Sequence, residues 1–285
     1  KTKALIEKLN AFMEKEVYPI EMEYIETVEN AENRWQTPAL MTSLKEKAKS
    51  AGLWNLFLPE EYKPYGAGLT NLEYAPLCEI MGRVPFSAEA FNCSAPDTGN
   101  MEVLAKYGSD AHKERWLVPL LEGEIRSAFA MTEPDVASSD ATNIETSIKR
   151  DGDEYVVNGE KIWTSFAHLA DWIFCLVRTD PDAKKQEGIS FLLIDMADPG
   201  VEATPISLIS GESEFCQTFF TDVKVPKENL VGELNKGWSV AKALLIHERK
   251  LMAEMGTDTL RQVLEPNQAA YEYLEFENGR IANAD

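Results

Sequence analysis

The repeat distance of the apolar residues changes twice along the chain, and this limits the possible fold more than any other feature. Near the N-terminus, apolar residues are spaced three or four apart, which predicts amphipathic helices; they are Leu5, Leu9, Phe12, Met13 and Val17. From residue 127 the period falls to two, in segments such as "DWIFCLVRT" and "ISFLLID", which predicts strands. From residue 237 the helical period returns. The pattern predicts an α+β protein with an N-terminal all-α domain (1–126), a central β-domain (127–232) and the beginning of a C-terminal α-domain (233–285).

Local signals add detail to this division. Thr70 and Asn71 are typical of a helix start, and the helix that follows is expected to direct its apolar residues inward, namely Leu72, Ala75, Leu77 and Ile80. Within "YVVNGEKIW", the Asn158-Gly159 pair predicts a tight hairpin turn, because both residues accept positive φ angles.

Charge and composition exclude several classes of function. The net charge of −20 repels polyanions and argues against nucleic-acid binding. No apolar run approaches the roughly 18 residues of a membrane helix, so no integral membrane segment is predicted, and the charged first residues do not suit a signal peptide. We therefore expect a soluble, intracellular protein. The four cysteines are scattered among apolar neighbours and are expected to be reduced core thiols.

Common cofactor motifs are absent from the sequence. There is no P-loop and no HExxH, and "GAGLTN" lacks a glycine of the dinucleotide fingerprint and lies between predicted helices. The three histidines are far apart, and His112 is expected at an exposed helix start. The sequence therefore predicts neither a Rossmann-type nucleotide site nor a metal site.

A series of motifs in fixed order resembles the acyl-CoA dehydrogenase family. They are "AMTEP", "SSDA", "NGEKIWTSFA" and "FTDVKVPKENLVGELNKGW", and the earlier "FNCSAPDTGNMEVLAKYG" is most similar to the branch that contains family members 10 and 11 and bacterial relatives. The resemblance implies an acyl-CoA dehydrogenase fold with an N-terminal helical domain, a central β-barrel-like domain, a C-terminal helical bundle and bound FAD. Only the start of that bundle is expected here, with the rest of the family's C-terminal part missing.

The resemblance also implies which residues bind the cofactor. Small hydroxyl residues suit a flavin, which needs hydrogen-bond donors at its edge and a flat apolar wall against its ring. Ser138 and Ser139 would contact the pyrophosphate or the acyl-CoA, although "TEPDVASSD" is one residue longer than the family's usual "TEPGAGSD", so the register there is open. The alternative is a strand end capped by hydroxyl residues beside a core tryptophan. The residues implied to line or cover the flavin are Phe129, Ala130, Met131, Thr132, Trp163, Thr164 and Ser165.

A carboxylate must remove the α-proton in the family's reaction. Most members carry it late in the C-terminal domain, whereas "LLIHERKL" resembles members that carry it on the first long helix after the β-domain. Glu248 is then the predicted catalytic base, and Arg249 is predicted to bind the acyl-CoA or to lie at a subunit interface. Two alternatives stay open: the pair forms a solvated helix face, or the base lies beyond Asp285.

For function, the resemblance implies FAD-dependent α,β-dehydrogenation of an acyl-CoA to a trans-2-enoyl-CoA, a step of fatty acid β-oxidation. It also implies electron transfer to an electron-transfer flavoprotein and assembly as a homodimer or homotetramer. An acyl-CoA oxidase and a catalytically silent subunit of a hetero-oligomer are the alternatives. The expected compartment is the cytoplasm of a bacterium, or the mitochondrial matrix or peroxisome of a eukaryote.

Overall fold

The computed structural model describes residues 2–30, 36–209, 211 and 213–245. Helices occupy the first part of these residues and return at the end. None of the described helices combines the length and the apolar composition needed to span a bilayer. In chain order they are α1 (Thr2–Phe12), α2 (Glu21–Asn30), α3 (Ala39–Ser50), α4 (Asn71–Met81), α5 (Ser87–Ala90), α6 (Asp97–Tyr107), α7 (Asp110–His112), α8 (Val118–Glu122) and α9 (237–245).

The helices form where the sequence places an apolar stripe and a cap. In and after α1, Leu9, Phe12, Met13 and Val17 are buried, as their spacing predicts. At the start of α4, the Thr70 hydroxyl accepts a hydrogen bond from the Glu73 amide, and the Glu73 carboxylate accepts one from the Thr70 amide. This capping box satisfies amides that the helix itself leaves unpaired.

The strands form one mixed sheet in the order β6-β7-β3-β2-β4-β5-β8, with β1 pairing in parallel to β4. Most neighbours, including the long pair β3 and β7, are antiparallel. The strands are β1 (Ser127–Ala130), β2 (Ser147–Asp151), β3 (Glu154–Ser165), β4 (Trp172–Arg178), β5 (Ile189–Asp195), β6 (Val201–Pro205), β7 (Phe215–Pro226) and β8 (Leu230–Val231).

Strands β4 and β5 join the two parts of the protein because both of their faces are buried. Phe174 and Phe191 belong to the core that the helices form. Their neighbours Cys175 and Leu192 belong to a second core on the other side of the sheet. Because side chains alternate along a strand, the uninterrupted apolar sequence of β4 and β5 fits this two-sided burial.

A buried ion pair holds the end of β1 against β3. Lys161 is completely buried, and its Nζ donates to the Glu133 carboxylate at 2.8 Å and to the Met131 carbonyl at 3.1 Å. The same carboxylate accepts hydrogen bonds from the amides of Glu145 and Thr146. Burial alone would raise the pKa of Glu133, but Lys161 and the two amides hold it below its usual value.

A glycine allows α9 to begin directly against the sheet. A Cβ on Gly237 would lie 2.4 Å from the carbonyl carbon of Ser190 and 2.5 Å from the amide nitrogen of Phe191, both in β5. Such distances are far below van der Waals contact, so only glycine fits without displacement. The close approach sets the starting point of α9.

Three sequence expectations are wrong. Asn158 and Gly159 do not form a turn, because β3 runs through them and the turn between β2 and β3 lies at residues 152–153. The glycine instead allows Thr146 to pack closely against the backbone of β3. Leu72 and Ala75 are exposed, because only the second half of α4 packs into the core, through Leu77, Ile80 and Met81.

The third concerns His112, which is buried rather than exposed. Its Nε2 lies 2.6 Å from the Glu228 carbonyl, so the side chain bridges the helices and the β-domain. The cysteine expectation is confirmed for the described structure, where all four thiols are free and Cys93, Cys175 and Cys216 are buried.

We predict that Gly237→Ala lowers the free energy of unfolding by about 1–3 kcal/mol, the usual cost of overpacking. Alanine otherwise favours a helix over glycine, so a loss reports the contact with β5. The measurement is urea unfolding, with Ser239→Ala on the exposed side of α9 as the control. A Gly237→Ala protein as stable as the wild type would contradict the close approach.

We predict that Lys161→Met lowers stability by about 3–5 kcal/mol at neutral pH, because Glu133 would be left buried without its cation. In the wild type the lowered pKa of Glu133 gives a stabilising contribution that is present above its usual pKa of 4.5 and lost as the pH falls. Without Lys161, burial would instead raise that pKa, and protonation would relieve the penalty.

The deficit of Lys161→Met relative to the wild type should therefore shrink in urea unfolding as the pH is lowered from 7 toward 5. Lys227→Met, which breaks an exposed pair with Asp153, is the control and should change stability little. A deficit that stays constant with pH would show that Glu133 carries no charge that depends on Lys161.

Candidate functional site

A cleft of about 540 Å³ lies between the helices and the β-domain. Its two walls come from widely separated parts of the sequence. The helical wall consists of Phe57, Pro59, Glu61, Asn71, Tyr74, Cys93, Ala95, Pro96, Thr98, Gly99, Asn100 and Glu102. The β wall consists of Phe129, Met131, Thr132, Ile162, Trp163, Ser165, Phe166, Glu214 and Phe215, and Leu244 of α9 also lines the cleft.

The end of β1 forms the centre of the β wall. Phe129 faces the cleft and stacks on Phe191, with ring centroids 6.1 Å apart and planes inclined by 17°. Met131 and Thr132 follow directly, and the Thr132 carbonyl accepts a hydrogen bond from the Ile162 amide at 2.9 Å. Together with the Lys161 hydrogen bond to Met131, this fixes the apolar and hydroxyl groups of the wall in place.

A bulge in β3 turns Trp163 out of the sheet. Between the pairs Lys161–Thr218 and Thr164–Cys216, β3 contains one more residue than β7. Trp163 has a φ of +59°, which is unfavourable for a bulky side chain, and its ring is 52% exposed while it packs edge-on against Phe215. Strained backbone of this kind is concentrated at functional sites. The bulge presents a large, flat aromatic surface at the cleft.

Ser165, two residues after the tryptophan, lines the cleft and offers a hydroxyl group to a ligand. Thr164 lies between them but is buried, and it pairs with Cys216 of β7, which belongs to the core on the other side of the sheet. Directly paired residues share one face of a sheet, so the Thr164 hydroxyl faces away from the cleft. It has no hydrogen-bond partner among the residues that the structure describes.

The helical wall holds neutral hydrogen-bonding groups. Burial, together with neighbouring Cys93 and Cys78, raises the pKa of Tyr74 well above its usual 10, so its hydroxyl keeps its proton. Burial likewise raises the pKa of the Cys93 thiol to about 11. Neither group is an ionised nucleophile at neutral pH.

The charged groups that line the described cleft are all carboxylates, Glu61, Glu102 and Glu214. Phosphate groups bind to cations or to clustered amides. This part of the cleft is therefore suited to the uncharged parts of a ligand, such as an aromatic ring or an acyl chain, rather than to its phosphates.

The structure brings together five of the residues implied for flavin binding, which are Phe129, Met131, Thr132, Trp163 and Ser165. Ala130 and Thr164 alternate with them and are buried in the sheet, so only their backbone could take part. Ser138 and Ser139 begin a 3-10 helix, Ser138–Asn143, and their side chains lie outside the described part. Glu248 and Arg249 also lie outside the described residues.

Sequence analysis did not identify the helical wall. The segment "FNCSAPDTGN" did contribute to the resemblance, and six of its residues line the cleft, namely Cys93, Ala95, Pro96, Thr98, Gly99 and Asn100. The buried pair of Glu133 and Lys161 was not predicted from the sequence either, although both residues belong to motifs quoted above. No local signal distinguished Lys161 from a surface charge, because β3 also contains the polar residues Asn158 and Glu160.

Known proteins match this chain along most of its length. The family model of the acyl-CoA dehydrogenase N-terminal domain matches residues 1–124, and that of the middle domain matches residues 128–223. Acyl-CoA dehydrogenase family member 10 of Mus musculus is 50% identical over 250 residues, which cover 85% of this chain and 23% of that protein. Probable acyl-CoA dehydrogenase FadE2 of Mycobacterium tuberculosis is 45% identical over 245 residues, covering 84% and 59% respectively.

A solved structure from Mycobacterium abscessus, assigned to the acyl-CoA dehydrogenases, superposes with a TM-score of 0.82 at 40% identity and covers 89% of this chain and 65% of that one. The chain thus spans about a quarter to two thirds of the length of these relatives. The matched models, the sequence identity and the superposition agree on one conclusion: the chain belongs to the acyl-CoA dehydrogenase family.

Proposed function

We propose that the protein is an FAD-dependent acyl-CoA dehydrogenase that converts an acyl-CoA thioester into the trans-2-enoyl-CoA and passes the electrons to an electron-transfer flavoprotein. The observation that carries this proposal is the cleft between the two domains, where a flat aromatic and hydroxyl-bearing wall faces a helical wall that includes the neutral side chains of Tyr74 and Cys93. Family membership supports the same chemistry.

The β wall fits a flavin ring. Phe129, Met131 and Trp163 supply apolar surface, while Thr132 and Ser165 supply hydroxyl groups at its edge. When bound, FAD would accept the β-hydrogen of the substrate as hydride. The residues of this chain bind and orient the ring and keep water from its face.

Glu248 is the proposed base that takes the α-proton. Leu244 lines the cleft at the described end of α9, and a Cβ on Gly99 of α6 would lie only 2.6 Å from its Cδ1. Residues four apart lie on the same face of a helix, and "WSVAKALLIHERKL" keeps the helical period beyond residue 245. A helix that continued would therefore carry Glu248 next to Leu244 on the cleft side.

The balance of the reaction follows from these roles. The Glu248 carboxylate would take the proton of the α C–H bond, and the electron pair of that bond would form the new C=C bond as the β-hydrogen leaves as the hydride that bound FAD would accept. The thioester carbonyl acidifies the α-proton. Holding the base and the substrate in place at the same time supplies the rate enhancement.

The phosphate groups need partners outside the described cleft. We propose Ser138 and Ser139 for the pyrophosphate or the acyl-CoA and Arg249 for the acyl-CoA, because the described wall contains no cation. We also propose a homodimer or homotetramer, through the helices that follow the β-domain. The proposed compartment is the bacterial cytoplasm, or the mitochondrial matrix or peroxisome of a eukaryote.

We predict that the purified full-length protein is yellow and releases FAD when denatured, because the β wall suits a flavin ring. Absorbance spectroscopy and chromatography of the released cofactor provide the measurement. A colourless protein that cannot be reconstituted with FAD would remove the basis of the proposed function.

We predict that Trp163→Ala weakens FAD binding by on the order of tenfold or more, the scale of one lost aromatic stacking contact. Stability should change little because half of the ring is exposed. Titration of the apoprotein with FAD measures the affinity, and Ile209→Ala, an exposed apolar residue outside the cleft, is the control. Equal affinity in Trp163→Ala and wild type would place the flavin elsewhere.

We predict that Glu248→Gln in the full-length protein slows flavin reduction by acyl-CoA by on the order of a thousandfold or more. The amide keeps the size of the side chain but cannot accept the proton, so the substrate should still bind and perturb the flavin spectrum. Stopped-flow absorbance measures the rate, with Glu233→Gln as the control. Reduction at the wild-type rate would mean that the base lies beyond Asp285.

A further inference from the structure

Hydrogen bonds connect Asp97, the first residue of α6, to Ser127, the first residue of β1. Asp97 is 6% exposed, and its Oδ1 accepts hydrogen bonds from both the amide and the hydroxyl of Ser127, each at 2.6 Å. Its Oδ2 accepts one from Arg126 Nε at 3.0 Å. One buried carboxylate thus fixes the start of a helix to the start of a strand, through hydrogen bonds of the strong, charge-assisted kind.

Asn100 repeats this connection one turn further along α6. It is completely buried, and its Nδ2 donates to the Ser127 hydroxyl at 2.9 Å and to the Ala128 carbonyl at 3.2 Å. Its Oδ1 has no partner among the described residues, although Asn100 lines the cleft. Two successive turns of α6 are therefore attached to two successive residues of β1.

Arg126 extends the connection into the helical domain. Its Nη1 donates to Glu89 at 2.8 Å, and Glu89 also accepts from Lys45 at 2.8 Å. Burial alone would raise the pKa of Glu89, but Arg126 and Lys45 lower it, so the carboxylate is ionised and the charges of the network balance. We call Glu89, Asp97, Asn100, Arg126 and Ser127 the Asp97 cluster.

The cluster lies between the two walls of the cleft. On one side, the first two turns of α6 carry Thr98, Gly99, Asn100 and Glu102 of the helical wall. On the other, β1 continues from Ser127 to the β wall at Phe129, Met131 and Thr132 at about 3.3 Å per residue. The length of the cluster's hydrogen bonds therefore sets the separation and register of the helical wall and the β wall.

We propose that Asp97 is a positioning residue that fixes the helical wall relative to the β wall and so determines which acyl chains reach a reactive position. This rests on the proposed function. The physical reason is that a displacement of about 1 Å in a positioning element can slow a reaction on the order of a hundredfold without removing any reacting group.

The test uses two variants of the full-length, FAD-loaded protein. Asp97→Asn keeps the shape of the side chain but replaces one acceptor by a donor that faces the donors Ser127 and Arg126. Ser127→Ala removes only the hydroxyl that links Asp97 and Asn100, and it keeps the fold accessible should Asp97→Asn not accumulate. Asp153→Asn, which breaks an exposed pair with Lys227 outside the cleft, is the control.

The measurements are FAD affinity and the ratio of kcat/KM among butyryl-CoA, octanoyl-CoA and palmitoyl-CoA. We expect FAD affinity within about twofold of the wild type, a fall in kcat/KM of about 10- to 100-fold for Asp97→Asn, and a changed ratio among the three substrates. Ser127→Ala should change the ratio in the same direction by a smaller factor, and Asp153→Asn should leave it unchanged.

Two results would overturn the proposal. In the first, both variants keep the wild-type ratio among the three acyl chains, which would make the Asp97 cluster a structural connection alone. In the second, Ser127→Ala loses FAD in parallel with activity, which would assign the cluster to cofactor binding. A wild-type protein without FAD would instead contradict the proposed function itself, so the two failures are distinguishable.

Discussion

The architecture of the site depends on a positive charge that has no access to water. The ammonium group of Lys161 is completely buried, and such a group is tolerated only with partners in place on every side. Its partners are the Glu133 carboxylate and the Met131 carbonyl, and Glu133 in turn fixes the amides of Glu145 and Thr146. The strand end that lines the cleft therefore cannot move without leaving a buried charge unpaired.

The same reasoning explains how the cleft is assembled from distant segments. The buried pair fixes β1 against β3, and the Asp97 cluster fixes α6 against β1. The close approach of Gly99 and Leu244 brings α9 against the first turn of α6. Each connection is polar and directional or sterically exact to within a few tenths of an ångström. Apolar burial alone would bring these elements together but would not fix their register.

The sequence predicted the elements whose cause is local. Helical and strand periods follow from which side chains are buried, so the start of the first strand near Ser127 and the burial of Leu9, Phe12 and Val17 could be inferred directly. The Asn158-Gly159 turn could not, because the close approach of Thr146 overrides a strong local propensity. The helical wall and the Lys161–Glu133 pair could not be derived either, since they join positions far apart in the chain. The β wall could be found only through family resemblance, which identified residues on β1 and β3 whose side chains do line the cleft.

We propose that this cleft brings a flavin and the α and β carbons of an acyl-CoA together in reactive contact. The most direct measurement is an anaerobic single-turnover experiment, in which the FAD-loaded full-length protein is mixed with acyl-CoA thioesters of several chain lengths. We predict that at least one thioester bleaches the flavin and yields one trans-2-enoyl-CoA for each flavin reduced. A flavin-loaded protein that binds acyl-CoA but neither bleaches nor forms the enoyl product with any chain length would contradict it.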